Sequence, residues 1–586
     1  MGEELSLRFG PRLISDSETE FRIWAPSVES VALIVEGQSA RAMERQEGGW
    51  FRIRAPFGAG TRYRFQVTED LLVPDPASRF QPEGVHGTSM VVDSDDYGWI
   101  CREWRGRPWR EAVVYEAHVG VLGGFDGVRA LLPELAALGV TAIELMPLSA
   151  FGGERNWGYD GVLPYAVPNA YGTPAQLKAL IDAAHEVGLM VLLDVVYNHF
   201  GPDGNYLGVY ADAFFDDERS SPWGRGIAFQ NPDVAAYFHE NVLYWMTEFR
   251  ADGVRIDAAW AIPERQWFMD LRRRIDAVIE PGRHFHLVLE NENNDAGLLR
   301  SGFDAQWNDD FHNVLHVLLT KEHEGYYGNF SDDPIAGVAT CLRDGFLYQG
   351  QIAPDTGKPR GQESGDLSPT HFVNFLQNHD QIGNRAFGER LVSLGDPGAV
   401  RVAYALLLLT PFIPMIFMGD EWGSRTPFLF FTDYHDELAD QVREGRRKEF
   451  AKFSAFHDPK KREKIADPNA LSTFEASRPD RRERDSGPGQ EWLALTRELL
   501  AIRREKIVPV LDGASSLGTV VLGDEALQAA WKLGDGSVLT VLVNFGAEDV
   551  FCEPHDTDSV IFAFKPLSGD SLLTARNIIV SLEGQS

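Results

Sequence analysis

The chain has 586 residues, of which 44% are hydrophobic and 24% charged, and its formal net charge is −32. That length divides into about two to four domains. A polyanion is repelled by nucleic acid and by acidic lipid surfaces, so no nucleic-acid or membrane partner is expected, whereas a neutral ligand meets no such barrier.

Cys101, Cys341 and Cys552 lie far apart, in no metal-spaced motif and no disulfide framework, which fits a reducing compartment. The opening stretch MGEELSLRFG has no apolar leader core, and no run of about 18 apolar residues occurs. A soluble cytoplasmic protein is the expectation.

The first 105 residues read as strands. FRIWAP (21–26), VALIVEG (31–37), GWFRIRAP (49–56) and TRYRFQV (61–67) alternate apolar and polar residues between Gly, Pro and Ser. Alternation at period two gives strands with one buried face, hence an antiparallel β-sandwich over 1–105. The rhythm changes near residue 110. AVVYEAHVG (112–120) is an apolar run, GVRALLPELAALGV (127–140) has a helical period, and TAIELMPL (141–148) is again strand-like. TPAQLKALIDAAHEVG (173–188) opens on Thr173 as an N-cap followed by Pro174, and closes on Gly188. LMVLLDVVYNH (189–199) is apolar on both faces. GVRID (253–257), HLVLEN (286–291), AQWND (305–309), FVNFLQNHD (372–380) and IPMIFMGDEW (413–422) complete the series. Two-sided apolar strands alternating with helices predict an α/β fold, a parallel (β/α)8 barrel over 106–505.

Within it, 200–235 is a long excursion after the third strand, rich in Gly, Pro, Asp and aromatics; such excursions are usually functional. Residues 455–490 are polar and read as irregular. EWLALTRELLAIRREK (491–506) is an amphipathic helix. ALQAAWKLG (526–534), SVLTVLVNFG (537–546) and SVIFAFKP (559–566) predict a C-terminal antiparallel β domain over 506–586.

A barrel of this kind carries its site at the C-terminal ends of the strands. There strand three offers Asp194, Asn198 and His199, strand four Arg255 and Asp257, strand five Glu290, and strand seven Asn378, His379 and Asp380. Burying an ion costs several kcal/mol unless it is paired. Arg255 and Asp257 stand two positions apart on a strand, so both face the barrel interior while Val254 and Ile256 face the helices. The guanidinium then favours the ionised carboxylate. Taken singly, Arg-x-Asp reads as a buried ion pair and Glu290 as a rim salt bridge. Four strand ends carrying acid or His in one phase point to catalysis.

Three converging acids suggest glycoside chemistry. Asp257 attacks the anomeric carbon. Glu290, its pKa raised by apolar surroundings and by Asp257, protonates the leaving oxygen. Asp380 holds substrate hydroxyls and opposes the developing positive charge, and His199 and His379 donate to the same ring. Glu292, in LENENND (289–295), is the second candidate for the acid. No cofactor is needed. Asp203, Asp212, Asp216 and Asp217 offer oxygens in the excursion but lack EF-hand spacing, so no metal is assigned.

DVVYNH (194–199), GVRIDA (253–258), LEN (289–291) and QNHD (377–380) resemble, in order, the four short signature regions of the α-amylase superfamily. The resemblance implies a nucleophilic Asp257, an acid Glu290 and a stabilising Asp380. It also implies a substrate-binding Tyr159 in WGYD (157–160). Longer phrases, among them QWNDDFHNVLHVLLTKEHEGYY, FVNFLQNHDQIGNRAFGERL and MGDEWGSRTPFLFF, are similar to the maltooligosyltrehalose trehalohydrolases of that superfamily. This implies retaining hydrolysis of the α-1,4 bond beside a terminal trehalose, on maltooligosyltrehalose and related α-glucans. A maltooligosyltrehalose synthase would act upstream, without implied contact. A glycogen branching or debranching enzyme of the same superfamily is the alternative. A non-catalytic glucan-binding relative is the third reading, and such relatives lose one or more of the three acids.

A trehalose end differs from starch only on the leaving-group side, so discrimination must sit in the +1 and +2 subsites. NDDFHN (308–313) and DEWGSRTPFLFF (420–431) are the rim segments most peculiar to this sequence. They place Asp309, Asp310, Trp422 and Phe428 in those subsites, against the plainer reading in which Trp422 and Phe428 pack the barrel end.

Overall fold

The computed structural model describes residues 7–221, 224–553, 557–569 and 571–584. Residues 1–6 of the stretch searched for a leader, and 222–223 of the excursion, lie outside the described residues. Eight strands close into a barrel in the order expected: β1 Val114–Ala117, β2 Ala142–Leu145, β3 Met190–Val195, β4 Gly253–Ile256, β5 His286–Leu289, β6 Ala305–Trp307, β7 Phe372–Asn374 and β8 Ile413–Phe417. Every neighbouring pair is parallel, and β8 closes on β1.

The barrel is filled, not hollow. Val114, Ala142, Met190, Leu192, Val288, Ala305, Trp307, Val373 and Met415 form one interior cluster. Val254 and Ile256 belong instead to the large outer core that packs on the helices. Alternation along each strand produces these two sets. Gly253 has a packing reason: a Cβ there would lie 2.5 Å from the His286 carbonyl oxygen.

The helix Pro174–Glu186 begins as its sequence predicts, with Thr173 and Gln176 in a reciprocal capping box and Pro174 in the first turn. The excursion after β3 contains a hairpin, Phe215–Ser221 with Gly224–Ile227, and leads into the helix Pro232–Glu248. It docks the N-terminal sandwich: Ser27 N donates to Tyr210 O at 3.0 Å, and Trp24 meets Phe214 edge-on at 5.3 Å. The sandwich pairs a four-stranded antiparallel sheet with a second sheet built on Ala32–Val35 and Arg62–Gln66. A five-stranded antiparallel sheet closes the chain, and Trp531 of it donates to Leu342 O at 3.2 Å.

One expectation is corrected. Residues 455–490 are not irregular but carry the short helices Pro459–Arg462, Leu471–Ala476 and Arg481–Asp485. Polar composition concealed them. Asp458 and Asp480 cap the first and third through their side chains, a local signal that hydrophobic periodicity does not report. Among the described residues no helix is long and apolar enough to cross a membrane.

The helix Gly487–Ile502 runs into Arg503, which is wholly buried. Its guanidinium donates to Leu408 O at 3.2 Å, Thr410 O at 2.7 Å and Phe412 O at 2.5 Å, and so clasps the chain just before β8. Charged donors to buried carbonyls are worth about 1.5–3 kcal/mol, and orphaned acceptors cost more than lost bonds. Arg503→Ala is therefore expected to lower unfolding free energy by about 3 kcal/mol or more. Denaturant or thermal melts of the purified variant will measure it.

Candidate active site

Arg255 answers the question its own sequence context poses. Its guanidinium is fully buried and lies 4.1 Å from the centroid of Trp307. One terminal nitrogen donates to Asp194 Oδ1 at 2.9 Å and Oδ2 at 2.8 Å, and to Asp257 Oδ1 at 2.7 Å. The other donates to Glu290 Oε2 at 3.0 Å. A single cation on β4 thus gathers the acids that end β3, β4 and β5. Burial opposes its charge, but Asp194, Glu290 and Asp257 outweigh that and raise its pKa.

The expected pair, Asp257 and Glu290, is held from other sides as well. Asn198 Nδ2 donates to Asp257 Oδ2 at 2.7 Å. The amide of Ala258 donates to Glu290 Oε2 at 2.8 Å. Ala258 achieves this in a left-handed backbone, φ 41 and ψ 48, which a non-glycine residue adopts only at a cost of about 1 kcal/mol or more. Glu292 is exposed, so Glu290 is the acid that the site receives.

Burial pushes Glu290 up to about 7; Arg255 opposes this, while Asp257 and Asp380 reinforce it. Burial also raises Asp257, against the pull of Arg255. Arg255 favours the ionised form of Asp257, as expected, but burial outweighs it. One guanidinium is divided among three carboxylates, and Asp194 and Asp380 add their repulsion.

Asp380 stands at the start of the short helix His379–Gly383, its amide capped by Asn378 Oδ1 at 2.9 Å. Its side chain is 40% exposed, which leaves it open to a ligand. Beside it His379 is buried, with Nδ1 bonded to Glu116 and Nε2 3.4 Å from Asp380 Oδ1. Burial alone would lower its pKa, but Asp380 and Glu116 flank it and drive it up to about 9. Tyr159 stacks on the imidazole at 5.0 Å and donates to Asp194 Oδ2 at 2.6 Å. His199, also buried, has its Nδ1 against Asn198 Oδ1, and burial lowers its pKa.

Not every residue placed on the substrate by sequence faces one. Arg255 and Asp194 are 0% and 3% exposed and spend their polar atoms on each other, Tyr159 and the acids. They support the site from beneath. Asp310 is 1% exposed and is filled by Asn294, Arg360 and the amides of Leu347 and Tyr348. Its charge holds a loop. Phe428 is wholly buried and stacks on Trp157 at 5.3 Å, and Trp422 is buried in the same core, so both pack the barrel end. Asp309 differs: it is half-buried, and Glu290 and Asp380 both lie near enough to reinforce the rise that burial causes in its pKa.

The excursion acids are engaged elsewhere. Asp203 meets His86 at 2.9 Å, Asp212 and Asp217 meet Arg225, and Asp216 meets Arg219. Sequence reasoning missed Glu116 on β1 and Glu144 on β2. Glu144 is 2% exposed, and burial drives its pKa well up. The signal was available, since each is an ion inside an apolar run, as Arg255 is.

The family described as alpha amylase, catalytic domain, matches residues 88–221, and a domain of unknown function, DUF3459, matches 514–576. A malto-oligosyltrehalose trehalohydrolase of Deinococcus radiodurans is 41% identical, over 84% of this chain and 82% of its own. The chain belongs to the malto-oligosyltrehalose trehalohydrolase family. A branching enzyme of Geobacillus stearothermophilus is more distant, 30% identical over 69% of this chain and 67% of its own. A solved Salmonella typhimurium structure carrying an alpha-amylase designation superposes with a TM-score of 0.93 at 43% identity, covering 99% of this chain and all of that one. In this trehalohydrolase-family chain, the acids of the first three signature regions, Asp194, Asp257 and Glu290, are gathered on Arg255, and Asp380 of the fourth stands next to His379.

The His379–Glu116 contact links the site to stability. A folded pKa of about 9 against an ordinary 6.5 adds stability that is whole below pH 6.5 and is lost as pH rises to about 9. Glu116→Gln weakens the upward push. Its thermal midpoint is expected to fall less than that of the parent between those limits. Parallel calorimetric curves would remove the pair from the account.

Proposed function

We propose that the chain is a retaining glycoside hydrolase that cleaves the α-1,4 bond beside the terminal trehalose of maltooligosyltrehalose and releases trehalose. The observation that carries this is the Arg255 fork, which presents Asp257 and Glu290 side by side in a buried setting that lifts Glu290 to about 7. An acid with that pKa is half protonated near neutrality and delivers its proton where the leaving oxygen needs it.

Asp257 attacks the anomeric carbon as Glu290 protonates the departing glycosidic oxygen. A glycosyl ester forms on Asp257, and trehalose leaves. Glu290, now a carboxylate, takes a proton from water, which attacks the same carbon and frees the shortened glucan. Asp380, open to the ligand, binds ring hydroxyls and opposes the cationic transition state. The imidazolium of His379, buried next to Asp380 and stacked on Tyr159, supports that carboxylate as a positioning residue. The free thiols Cys101, Cys341 and Cys552 suit a cytoplasmic site of action.

Incubation with purified maltooligosyltrehalose and chromatography for trehalose tests the reading. Asp257→Ala is expected to release none, and Glu290→Gln to lose about 10²–10⁴ in kcat. New α-1,6 links without trehalose would identify a branching enzyme instead. Because Glu290 must be protonated to act, kcat for maltooligosyltrehalose is expected to decline as pH rises through about 7.

Asp309 and Asp310 separate two roles. Asp309→Ala is expected to weaken the preference for trehalose ends over plain maltooligosaccharides. Asp310→Ala is expected to lower the melting midpoint, because it frees Arg360 and leaves two loop amides unpaired. Equal kinetic losses on both substrates in Asp309→Ala would end the subsite assignment.

A further inference from the structure

A second hollow lies at the far end of the barrel, where the chain enters β4 and β5. Its volume is about 400 Å³, within the range of small-molecule sites. Three segments build it. The linker after the sandwich brings Trp99 and Arg102, the end of the helix Pro232–Glu248 brings Met246 and Arg250, and the helix Arg265–Val278 with the turn beyond brings Val278 and Arg283.

The three guanidiniums are fixed by neutral acceptors. Arg283 donates to Ala251 O at 2.8 Å and Met246 O at 3.2 Å, Arg250 to Arg102 O at 2.9 Å, and Arg102 to Trp99 O at 3.1 Å. None of the three has a carboxylate ion-pair partner among the described residues. Glu280, the acid in the wall, pairs with Arg105 at 2.6 Å. Asp252 beneath is filled by His185, Trp104 and the amide of Val191. The Nε of Arg283 is buried without a partner.

This is anomalous in a chain of net charge −32, where carboxylates outnumber cations and most arginines find one. Arginines near helix C-termini complement the helix dipole, which accounts for Arg283. Asp252 and Glu280 favour the charge of Arg283 from a distance, but neither this nor the dipole accounts for three guanidiniums sharing one hollow with no carboxylate paired to any of them among the described residues. Arg250 also sits at φ 56, a left-handed backbone that glycine would occupy at less cost. Its guanidinium lies 5.3 Å from the centroid of Trp99, so the hollow has an aromatic wall as well.

We propose that this hollow binds a hexose phosphate, with the ester among Arg102, Arg250 and Arg283 and the sugar against Val278, Ile279 and the indole of Trp99. Guanidinium forks match phosphate oxygens in geometry and charge, and the apolar flank suits the C–H face of a pyranose. An uncharged glucan would leave the three cations unanswered, so this site is distinct from the one that holds the carboxylates.

Titration calorimetry on the full chain tests this, with glucose 6-phosphate, glucose and inorganic phosphate as probes. Saturable binding of glucose 6-phosphate is expected, with glucose silent and inorganic phosphate at least about tenfold weaker. Asp257→Ala is expected to leave that binding unchanged. Arg102→Gln with Arg250→Gln is expected to weaken it by about tenfold or more while trehalose release persists. Should the double variant misfold, the exposed Arg102→Gln alone is expected to show a smaller loss in the same direction. Absence of saturable heat, equal affinity for inorganic phosphate, or variants that bind as the parent does would overturn the proposal.

Discussion

The active end of the barrel depends on one ion pair network, centred on Arg255. A buried guanidinium without carboxylates would cost several kcal/mol, and so would any of the carboxylates without it. Together they satisfy one another: Asp194 takes two hydrogen bonds, and Asp257 and Glu290 take one each. Trp307 closes the face of the cation. The arrangement fixes Asp257 and Glu290, the two carboxyls proposed to react, relative to one another through a planar, rigid group. A lysine, a point charge on a flexible stem, would not do the same.

The charge count explains how the acids differ. Three carboxylates draw on one guanidinium, so its stabilisation is divided and burial decides the net direction for both Asp257 and Glu290. Glu290 moves into the range where a proton is carried and released near neutrality. A second cation, the imidazolium of His379, is sustained by Glu116 below and Asp380 beside it. The site therefore alternates signs, and its charged groups are drawn from the ends of β1, β3, β4, β5 and β7. Such a site requires the closed barrel, because no two adjacent strands supply all of it.

Much of this was legible in sequence, and for a definite reason. Period-two alternation, two-sided apolar runs and capping residues are local signals, and they located the eight barrel strands and the helix that follows Thr173. A full charge inside an apolar run is equally local, and it singled out Arg255, Asp257 and Glu290. Applied without exception, the same rule would have found Glu116 and Glu144, whose runs were read as plain strands. The polar stretch 455–490 conceals its short helices, because two of them are held by Asp caps and none carries much apolar periodicity of its own.

The amino-acid order by itself determined the barrel, its flanking β regions and the set of acids at the strand ends, because each is written in residues that are near neighbours in the chain. The tertiary structure alone decided which polar atoms remain available. Asp309 and Asp310 are adjacent in sequence and chemically alike. Four donors from distant segments fill Asp310, while Asp309 stays half-open beside Glu290 and Asp380. Phe428 and Trp422 were likewise settled by packing. Hydrogen-bond saturation and burial are properties of contacts between remote segments, and no local pattern encodes them.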